Sequence, residues 1–283
     1  MNELSPFLIT PQRVFGKPVC RLGLASRGQS TLTPDDVHHA LSKGINFLNW
    51  PGFADTPGGA DAFSEVIKTL GPARDSVVIC VQFGARSASD AAQELRTVLS
   101  TLGTDYVDVL TLYYVEELAE WEELLSRDGA LIYLRQAQKD GVVRKIGITS
   151  HQRPLAVTMA QSGLIDLVMI RYNAAHRGAE RDLFPVTDAL GLPVIAYTAL
   201  RWRALTQPTS DDPPGFVVPP APAWYRFVLQ SPSVAVTLAA PGNRRELEEA
   251  LQVLQATGPL NQAEYQLLCE HGDRVRKHAG RFP

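Results

Sequence analysis

Short apolar runs alternate with longer segments of helical character along almost the whole chain. Two of the runs are VVICVQ at residues 77–82 and PVIAY at residues 193–197. Runs of β-branched and aliphatic residues without polar alternation are typical of strands that are buried on both faces. Strands of this kind, separated by helices, pair in parallel through helical crossovers. Eight such strands in 283 residues predict an α/β fold, a closed (β/α)8 TIM barrel, with an open doubly wound sheet as the alternative.

The two ends of the barrel sequence carry further local signals. Residues 7–14 and 17–25 flank Phe15-Gly16, which predicts an N-terminal β-hairpin that leads into the first barrel strand. Thr33 and Pro34, followed by two aspartates, predict the start of the first long helix. A helix over 118–139 is expected to break at Asp128-Gly129. We expect residues 1–283 to form a single domain.

Composition excludes several classes of function. The chain is 45% hydrophobic and 20% charged, with a net charge of −3, so nothing indicates nucleic-acid or membrane binding. The three cysteines lie far apart, which favours buried reduced thiols, and no residues have metal-ligand spacing. Neither a signal peptide nor a transmembrane segment is visible, so a cytoplasmic location is expected. Glycine-rich nucleotide-binding motifs are also missing from the sequence.

Residues 207–223, QPTSDDPPGFVVPPAPA, interrupt the alternation. So many prolines exclude regular structure over most of this segment. It follows the seventh barrel strand, which places it at the end of the barrel where active sites form. It is either a stiff connection or a wall or lid over a bound ligand.

Six sequence blocks occur in an order and spacing that resemble the aldo-keto reductase superfamily. The superfamily reads roughly GINFFDTA, VVIATKFG, LGTDYIDLYLIH, GKVRHIGVSN, EYN and VIAYSPL. The corresponding blocks here are GINFLN, VVICVQFG, LGTDYVDVLTL, GVVRKIGITS, RYN and PVIAYTAL. A narrower resemblance is to aldo-keto-reductase-like proteins with RYNAAHRGAE. The resemblance implies an NAD(P)-binding barrel that reduces the carbonyl of a small-molecule substrate by hydride transfer.

The resemblance also locates the family's catalytic aspartate, tyrosine, lysine and histidine, and all four differ here. Their positions hold Asn49, Ala54, Gln82 and Tyr113. Because the aspartate and the lysine are both lost, no buried charge is left unpaired. We expect the amides of Asn49 and Gln82 to hydrogen-bond across the same gap.

The positions that bind the cofactor in the family are only partly retained. The resemblance implies that NADP(H) or NAD(H) would stack its nicotinamide on Tyr197 and contact Leu200. Thr149 and Ser150 would hold the carboxamide, although the family's glutamine is Met169 here. Asn243 and Arg244, at a predicted helix start, would bind phosphate. The alternative is that the basic residues at this helix start lie on a solvated helix face.

A proton donor has to come from elsewhere if the chain is catalytic. Tyr113 and Tyr114 end a strand, where adjacent side chains point to opposite sides, so we expect only one, Tyr113, to face the pocket. His151, at the next strand end, is a second candidate. The alternatives are packing or substrate stacking for Tyr113 and a polar contact without a catalytic role for His151. Trp50, Tyr114 and Trp224 are expected in the substrate pocket, with a loop anchor as the alternative for Trp50.

The remaining polar residues near this face are ambiguous. Arg171, Asn173, Arg177 and Glu180 form either a charge-paired latch beneath a loop or a site in which arginine binds a substrate carboxylate. His176, in the same segment, is either an acid–base residue or a histidine that only makes polar contacts. Glu116 and Glu117 are either acids or a solvated helix start.

Two classes of function therefore remain open. The chain is either an atypical NAD(P)-dependent oxidoreductase, or a related lyase-type enzyme, or a catalytically silent homologue that binds a ligand or partner. Its sequence does not indicate an oligomeric state.

Overall fold

The structure, a computed structural model, describes residues 4–52 and 61–278. Its strands form a two-stranded antiparallel sheet and a closed barrel of eight parallel strands. The small sheet consists of β1 (Ile9–Thr10) and β2 (Val19–Cys20). The barrel consists of β3 (Leu22–Ala25), β4 (Phe47–Trp50), β5 (Val78–Phe83), β6 (Val107–Leu112), β7 (Val143–Ser150), β8 (Leu167–Arg171), β9 (Val194–Tyr197) and β10 (Val234–Ala239).

Helices surround the barrel and connect its strands. They are α1 (Gln12–Phe15), α2 (Pro34–Ser42), α3 (Ala62–Lys68), α4 (Ala88–Leu102), α5 (Leu118–Leu125), α6 (Ala130–Lys139), α7 (Arg153–Gln161), α8 (Ala179–Asp182), α9 (Phe184–Leu190), α10 (Ala221–Gln230), α11 (Arg244–Leu251) and α12 (Gln262–His278). Short 3₁₀ helices span Pro6–Leu8, Gly71–Ser76, Ala204–Thr206 and Gln252–Gln255. Within the described ranges, no helix is both long and apolar enough to cross a membrane.

Closure of the sheet confirms the predicted (β/α)8 barrel and rules out the open doubly wound sheet. Strand β10 pairs in parallel with β3, with Thr237 opposite Leu22, and also with β9. The predicted hairpin is confirmed as well, because Ile9 lies opposite Cys20 in an antiparallel pair. Helix α1 forms most of the connection between β1 and β2, and it ends at Gly16 with a φ of 77°.

The predicted start of the first long helix and the predicted break in segment 118–139 are both present in the structure. Thr33 and Asp36 form a capping box at the start of α2, with each side chain accepting a hydrogen bond from the other's backbone N–H. The segment 118–139 is divided into α5 and α6, as expected from Gly129, which becomes the N-cap of α6. These signals are local, so they survive the packing of the barrel.

Apolar side chains fill the barrel interior and close its amino-terminal end. Phe15 packs edge-on against Phe47, with ring centroids 5.5 Å apart, and Val19 and Val236 belong to the same buried cluster. The three cysteines are free and buried, and burial raises the pKa of Cys20 to about 12. In barrels of this kind the active site forms at the carboxyl ends of the strands, so a ligand site is expected at that end.

Candidate active site

A cavity of about 350 Å³ lies at the carboxyl end of the barrel. Strand ends, the loop after β9 and the start of α11 form its wall. The polar and aromatic side chains of this wall belong to Ser26, Arg27, Asn49, Gln82, Tyr113, Tyr114, Thr149, Tyr197, Trp202, Arg203, Tyr225, Glu246 and Glu249. Leu200 and several small residues complete the wall. A cavity of this size and mixed polarity is typical of a small-molecule site.

Two polar atoms on the wall are buried without a hydrogen-bond partner among the described residues. They are Oδ1 of Asn49 and Oγ1 of Thr149. Gln82 does not bond to Asn49, because its Nε2 instead donates to Sδ of Met169 over 3.8 Å. The predicted bond between the two amides is therefore wrong, and Ala54, at the tyrosine position, lies outside the described residues. A buried polar atom that lacks a partner is costly, so these two atoms are suited to a ligand.

Both tyrosines at the end of β6 face the cavity. The prediction that only one would do so is wrong because β6 ends at Leu112, so the alternation of a strand no longer applies. Tyr114 has a φ of 42°, in the left-handed region. Its ring tilts against that of Tyr113 with centroids 4.0 Å apart. The cavity wall therefore carries two adjacent phenols.

His151 lies behind these phenols, outside the cavity wall. It stacks on Tyr114 with centroids 4.5 Å apart. Its backbone N–H donates to Oε1 of Glu116 over 2.7 Å, and its Nδ1 lies 3.1 Å from the same oxygen. Burial lowers the pKa of His151, and the Arg171 charge adds to this, against the opposing effect of Glu116. The imidazole is therefore neutral near pH 7.

Tyr197 lies half-buried at the end of β9. Its hydroxyl donates to the carbonyl oxygen of Ser150 over 3.0 Å, which fixes the ring. Ser150 itself is fully buried, and its Oγ accepts the N–H of Gln152. Thr149 thus reaches the cavity and Ser150 does not, which corrects the expectation that both contact a cofactor.

The residues predicted to bind phosphate do not line the cavity. Asn243 caps α11 by accepting the N–H of Glu246. Arg244 binds Asp36 (2.9 Å) and Glu248 (2.7 Å) on the outer surface. These contacts favour the alternative of a solvated helix face, and phosphate binding by Asn243 and Arg244 stays a prediction.

A set of ion pairs borders the cavity at the α11 end instead. It links Arg203 to Glu246 (3.4 Å) and Glu249 (3.4 Å), and it links Arg27 to Glu246 (3.7 Å). The sequence alone gave no signal for this set, because its members come from three separate segments.

Trp50 and Trp224 lie in the core rather than on the cavity wall. Trp50 is buried and donates its Nε1–H to Oδ1 of Asp61, as a loop anchor. Trp224 is 0% exposed, and its Nε1–H donates to the carbonyl of Pro219 over 2.9 Å. Their predicted place in the substrate pocket is therefore corrected.

The middle of the proline-rich segment, residues 207–223, is bound to helix α12. Asp212 accepts hydrogen bonds from Arg274 (2.6 Å) and lies 3.0 Å from Nδ1 of His271, both in α12. Phe216 stacks on His271 with centroids 5.1 Å apart. These contacts favour the stiff connection over a lid.

We expect Asp212→Asn to reduce the loss of folding stability that the protein shows as the pH falls below about 4. Burial alone would raise the pKa of Asp212, but bonds from Thr209, Arg274 and His271 outweigh burial and lower it to about 2. The stabilisation is complete above the ordinary pKa of 3.8 and is lost as pH falls through about 2. Near pH 7 the variant should lose about 1–2 kcal/mol, since water partly screens the site. Chemical denaturation at several pH values measures both effects.

Asp211→Asn is the matched control, because Asp211 pairs with Lys277 at the surface. It should leave stability nearly unchanged, because water and salt screen an exposed pair. Equal losses in the two variants would contradict the role given to Asp212.

Ion pairs and hydrogen bonds hold most of the polar segment after β8 in place, as in the charge-paired latch that was one of the two expectations. Arg177 donates to the carbonyl of Ala174 (2.6 Å) and to both carboxylate oxygens of Asp273, and Tyr172 donates to Glu180 over 2.6 Å. His176 is neutral, because burial and nearby arginines, Arg171 first, lower its pKa to about 3. Arg171 belongs to the barrel instead, because it ends β8, where its backbone pairs in register with Tyr197.

Of the two glutamates expected to be either acids or a solvated helix start, Glu117 lies at the helix start and Glu116 lies beside His151. Glu117 is the N-cap of α5, and Glu120 accepts the backbone N–H groups of both glutamates. Glu116 turns its carboxylate to His151, which the sequence did not predict. Within the described part of the chain, no group of acidic, histidine and cysteine side chains could hold a metal ion.

Comparisons of the sequence and of the structure with known proteins both find aldo/keto reductases. A sequence profile of the Aldo/keto reductase family matches residues 25–216, more than half of the chain. Pyridoxine 4-dehydrogenase of Escherichia coli (strain K12) is 28% identical over 175 residues, which are 57% of this chain and 58% of that protein.

Solved structures show the same fold. The holo form of an aldo-keto reductase from Bacillus halodurans has a TM-score of 0.75 and 19% identity, over 95% of this chain and 96% of that one. An aldo-keto reductase from Klebsiella pneumoniae in complex with NADPH has a TM-score of 0.75 and 17% identity, over 93% and 95% of the two chains.

Proposed function

This chain belongs to the aldo/keto reductase family, and from that premise we propose that it is an NAD(P)-dependent oxidoreductase acting on a small molecule. The observation that carries the proposal is the pair of buried, partnerless polar atoms on Asn49 and Thr149, in a cavity that the aromatic residue Tyr197 also lines. Fold alone does not give function, so the site has to support the assignment.

The described residues fit the nicotinamide end of such a cofactor. A carboxamide has one acceptor oxygen and two donor hydrogens, so Thr149 Oγ1–H can donate to it and Asn49 Oδ1 can accept from it. The ring of Tyr197, fixed through its hydroxyl, offers a flat apolar surface for stacking. A bound nicotinamide supplies a hydride donor or acceptor. The protein's own residues bind it, orient it and supply the proton.

Proton transfer has to proceed without the usual four residues. The phenols of Tyr113 and Tyr114 lie on the wall, and His151 lies directly behind Tyr114. A neutral imidazole held by a carboxylate is a competent acid–base group. Pyridoxine, which the name of the Escherichia coli relative specifies, is a small aromatic alcohol of a size that suits this aromatic wall. It is the first substrate to test.

A catalytically silent, ligand-binding homologue is the second candidate. Gln82 favours it, because this amide has no charge and is bonded to Met169, so the family's lysine position provides no cation. The two candidates share the cavity and differ in turnover, so both can be tested on one preparation.

Binding of NADPH and NADH should quench protein fluorescence, and Thr149→Val should weaken it by about 5- to 10-fold, the effect of one lost hydrogen bond of about 1 kcal/mol. Valine keeps the shape of threonine and removes the partnerless hydroxyl, so stability should not fall. Thr158→Val, on the exposed side of α7, is the control and should leave the dissociation constant unchanged.

Oxidation of pyridoxine with NADP⁺ or NAD⁺, and reduction of 4-nitrobenzaldehyde with NADPH or NADH, separate the two candidates. Turnover supports the oxidoreductase. Binding without turnover supports the silent homologue, and the absence of binding at millimolar cofactor would exclude the proposed oxidoreductase.

A further inference from the structure

The loop after β9 contains three successive residues in the left-handed region of backbone conformation. Arg201, Trp202 and Arg203 have φ values of 48°, 49° and 67°. Residues other than glycine are strained there, and they normally adopt this conformation singly rather than in runs. Strain of this kind persists only where the surrounding structure imposes it, and it concentrates at active sites and ligand sites. The loop is therefore a candidate for a role in binding.

Hydrogen bonds fix the loop on the amino-terminal side of Trp202. The N–H of Arg201 donates to the carbonyl of Thr198 over 2.8 Å, and the carbonyl of Arg201 accepts the N–H of Ala204 over 3.0 Å. Arg201 is also buried. Packing thus compensates for the strain at this residue.

Ion pairs fix the loop on the carboxyl-terminal side of Trp202. The guanidinium of Arg203 lies 3.4 Å from the carboxylate of Glu246 and 3.4 Å from that of Glu249, both in α11. All three of these side chains line the cavity. Because both neighbours of Trp202 are anchored, its backbone is held in one place beside the cavity.

Trp202 itself gains little from burial. It lines the cavity and is 62% exposed, whereas the other three tryptophans, Trp50, Trp121 and Trp224, are at most 4% exposed. A large aromatic ring that borders a cavity and faces water is suited to cover the flat face of a bound molecule, because the contact removes apolar surface from water. The strained loop therefore holds this ring where a ligand could use it.

The rest of the cavity wall favours a flat aromatic ligand. Four tyrosines, Tyr113, Tyr114, Tyr197 and Tyr225, line the same cavity. Of these, Tyr197 is already assigned to the nicotinamide ring. A ring that stacks on Trp202 is thus a second ring of the bound molecules.

Resting on the proposed function, we propose that Trp202 is a binding residue that stacks on a second flat aromatic ring, and that the strained turn at residues 201–203 holds it there. Such a ring has two sources, the adenine of the cofactor and an aromatic substrate. Both are flat and apolar on their faces, so they share the chemistry that Trp202 recognises. The two sources are separated by experiment.

Calorimetric titration with NADH and with reduced nicotinamide mononucleotide, which lacks adenine, tests the cofactor. If adenine is the ring, Trp202→Ala should weaken NADH binding by about 10-fold, as for one lost base–aromatic stack, and leave the mononucleotide unaffected. Trp202→Phe keeps a ring and should recover most of the affinity. Leu118→Ala, an exposed apolar residue of α5 outside the cavity wall, is the control and should change neither dissociation constant.

Titration of the NADH complex with alcohols tests the substrate, because an alcohol does not react with the reduced cofactor. If the ring belongs to the substrate, Trp202→Ala should weaken binding of benzyl alcohol by about 5- to 10-fold. Cyclohexylmethanol has nearly the same size but is not flat, so its binding should be unaffected. The dissociation constant of NADH should then also stay unchanged.

Quenching of tryptophan fluorescence by acrylamide gives a reading that does not depend on turnover. Because Trp202 is the exposed tryptophan, the bound ligand should protect it, and this protection should be absent in Trp202→Phe. Affinities within about twofold of the wild type in both titrations, without protection, would overturn the role of Trp202 and leave the oxidoreductase standing. A wild type that binds neither NADH nor NADPH would overturn the proposed oxidoreductase and, with it, this role.

Discussion

Replacing Asp108 by alanine is expected to lower the free energy of unfolding by about 3–5 kcal/mol, because it leaves the half-buried charges of Lys17 and Arg74 without their buried anion. Asp108 lies in β6, and its side chain is 3% exposed. It binds Lys17 Nζ (3.1 Å) and Arg74 Nη1 (2.8 Å), and it lies 3.6 Å from Arg144. It also accepts the backbone N–H of Ile79 over 3.0 Å.

This carboxylate joins three parts of the fold at the plugged end of the barrel. Lys17 precedes β2, Arg74 belongs to the 3₁₀ helix before β5, and Arg144 lies in β7. The guanidinium groups of Arg74 and Arg144 both lie over the ring of Tyr106, at 3.8 Å and 4.0 Å from its centroid. Without Asp108 they would repel each other across this ring.

Urea denaturation measures the effect, and Asp105→Asn is the control. Asp105 lies on the exposed turn before β6, so removing its charge should change stability by less than about 0.5 kcal/mol. Asp108→Asn should be intermediate, since the amide oxygen can still accept from Ile79. Cofactor binding by folded Asp108→Ala should be unchanged, because this cluster is at the other end of the barrel. A loss under about 1 kcal/mol would contradict the account.

Trp224→Ala is expected to destabilise the protein by about 3–5 kcal/mol, as for other fully buried tryptophans. The side chain is 0% exposed in α10, next to His271 of α12 at a centroid separation of 5.5 Å. Truncation would leave a cavity between these helices, and it would remove the donor to Pro219 that fixes the end of the proline-rich segment. Thermal unfolding of the variant checks this result.

Trp202→Ala is the matched control within the same region. Trp202 is 62% exposed on the cavity wall, so its truncation should change stability by less than about 0.5 kcal/mol. It should instead alter ligand affinity. If Trp224→Ala were neutral for stability and weakened cofactor binding, Trp224 would belong to the pocket as the sequence first suggested.

The architecture could be predicted because its signals are local and repeated. The apolar runs of the strands, the cap at Thr33 and the helix break at Gly129 each depend on neighbouring residues, and the structure has all three. The resemblance also predicts, from the order of the blocks alone, that the family's four catalytic residues are replaced. The hydrogen-bond partners of the residues at these positions could not be predicted from the sequence. Gln82 bonds to a residue 87 positions away, Met169, which no local pattern indicates.

The sequence by itself determined the barrel and the family to which the chain belongs. Tertiary structure decided which side chains line the cavity. The end of β6 at Leu112 and the left-handed backbone of Tyr114 turn both phenols inward, and an ion pair with Asp36 turns Arg244 away. The physical reason is that backbone strain and long-range ion pairs depend on contacts between distant segments, whereas apolar runs and helix caps depend on neighbours along the chain.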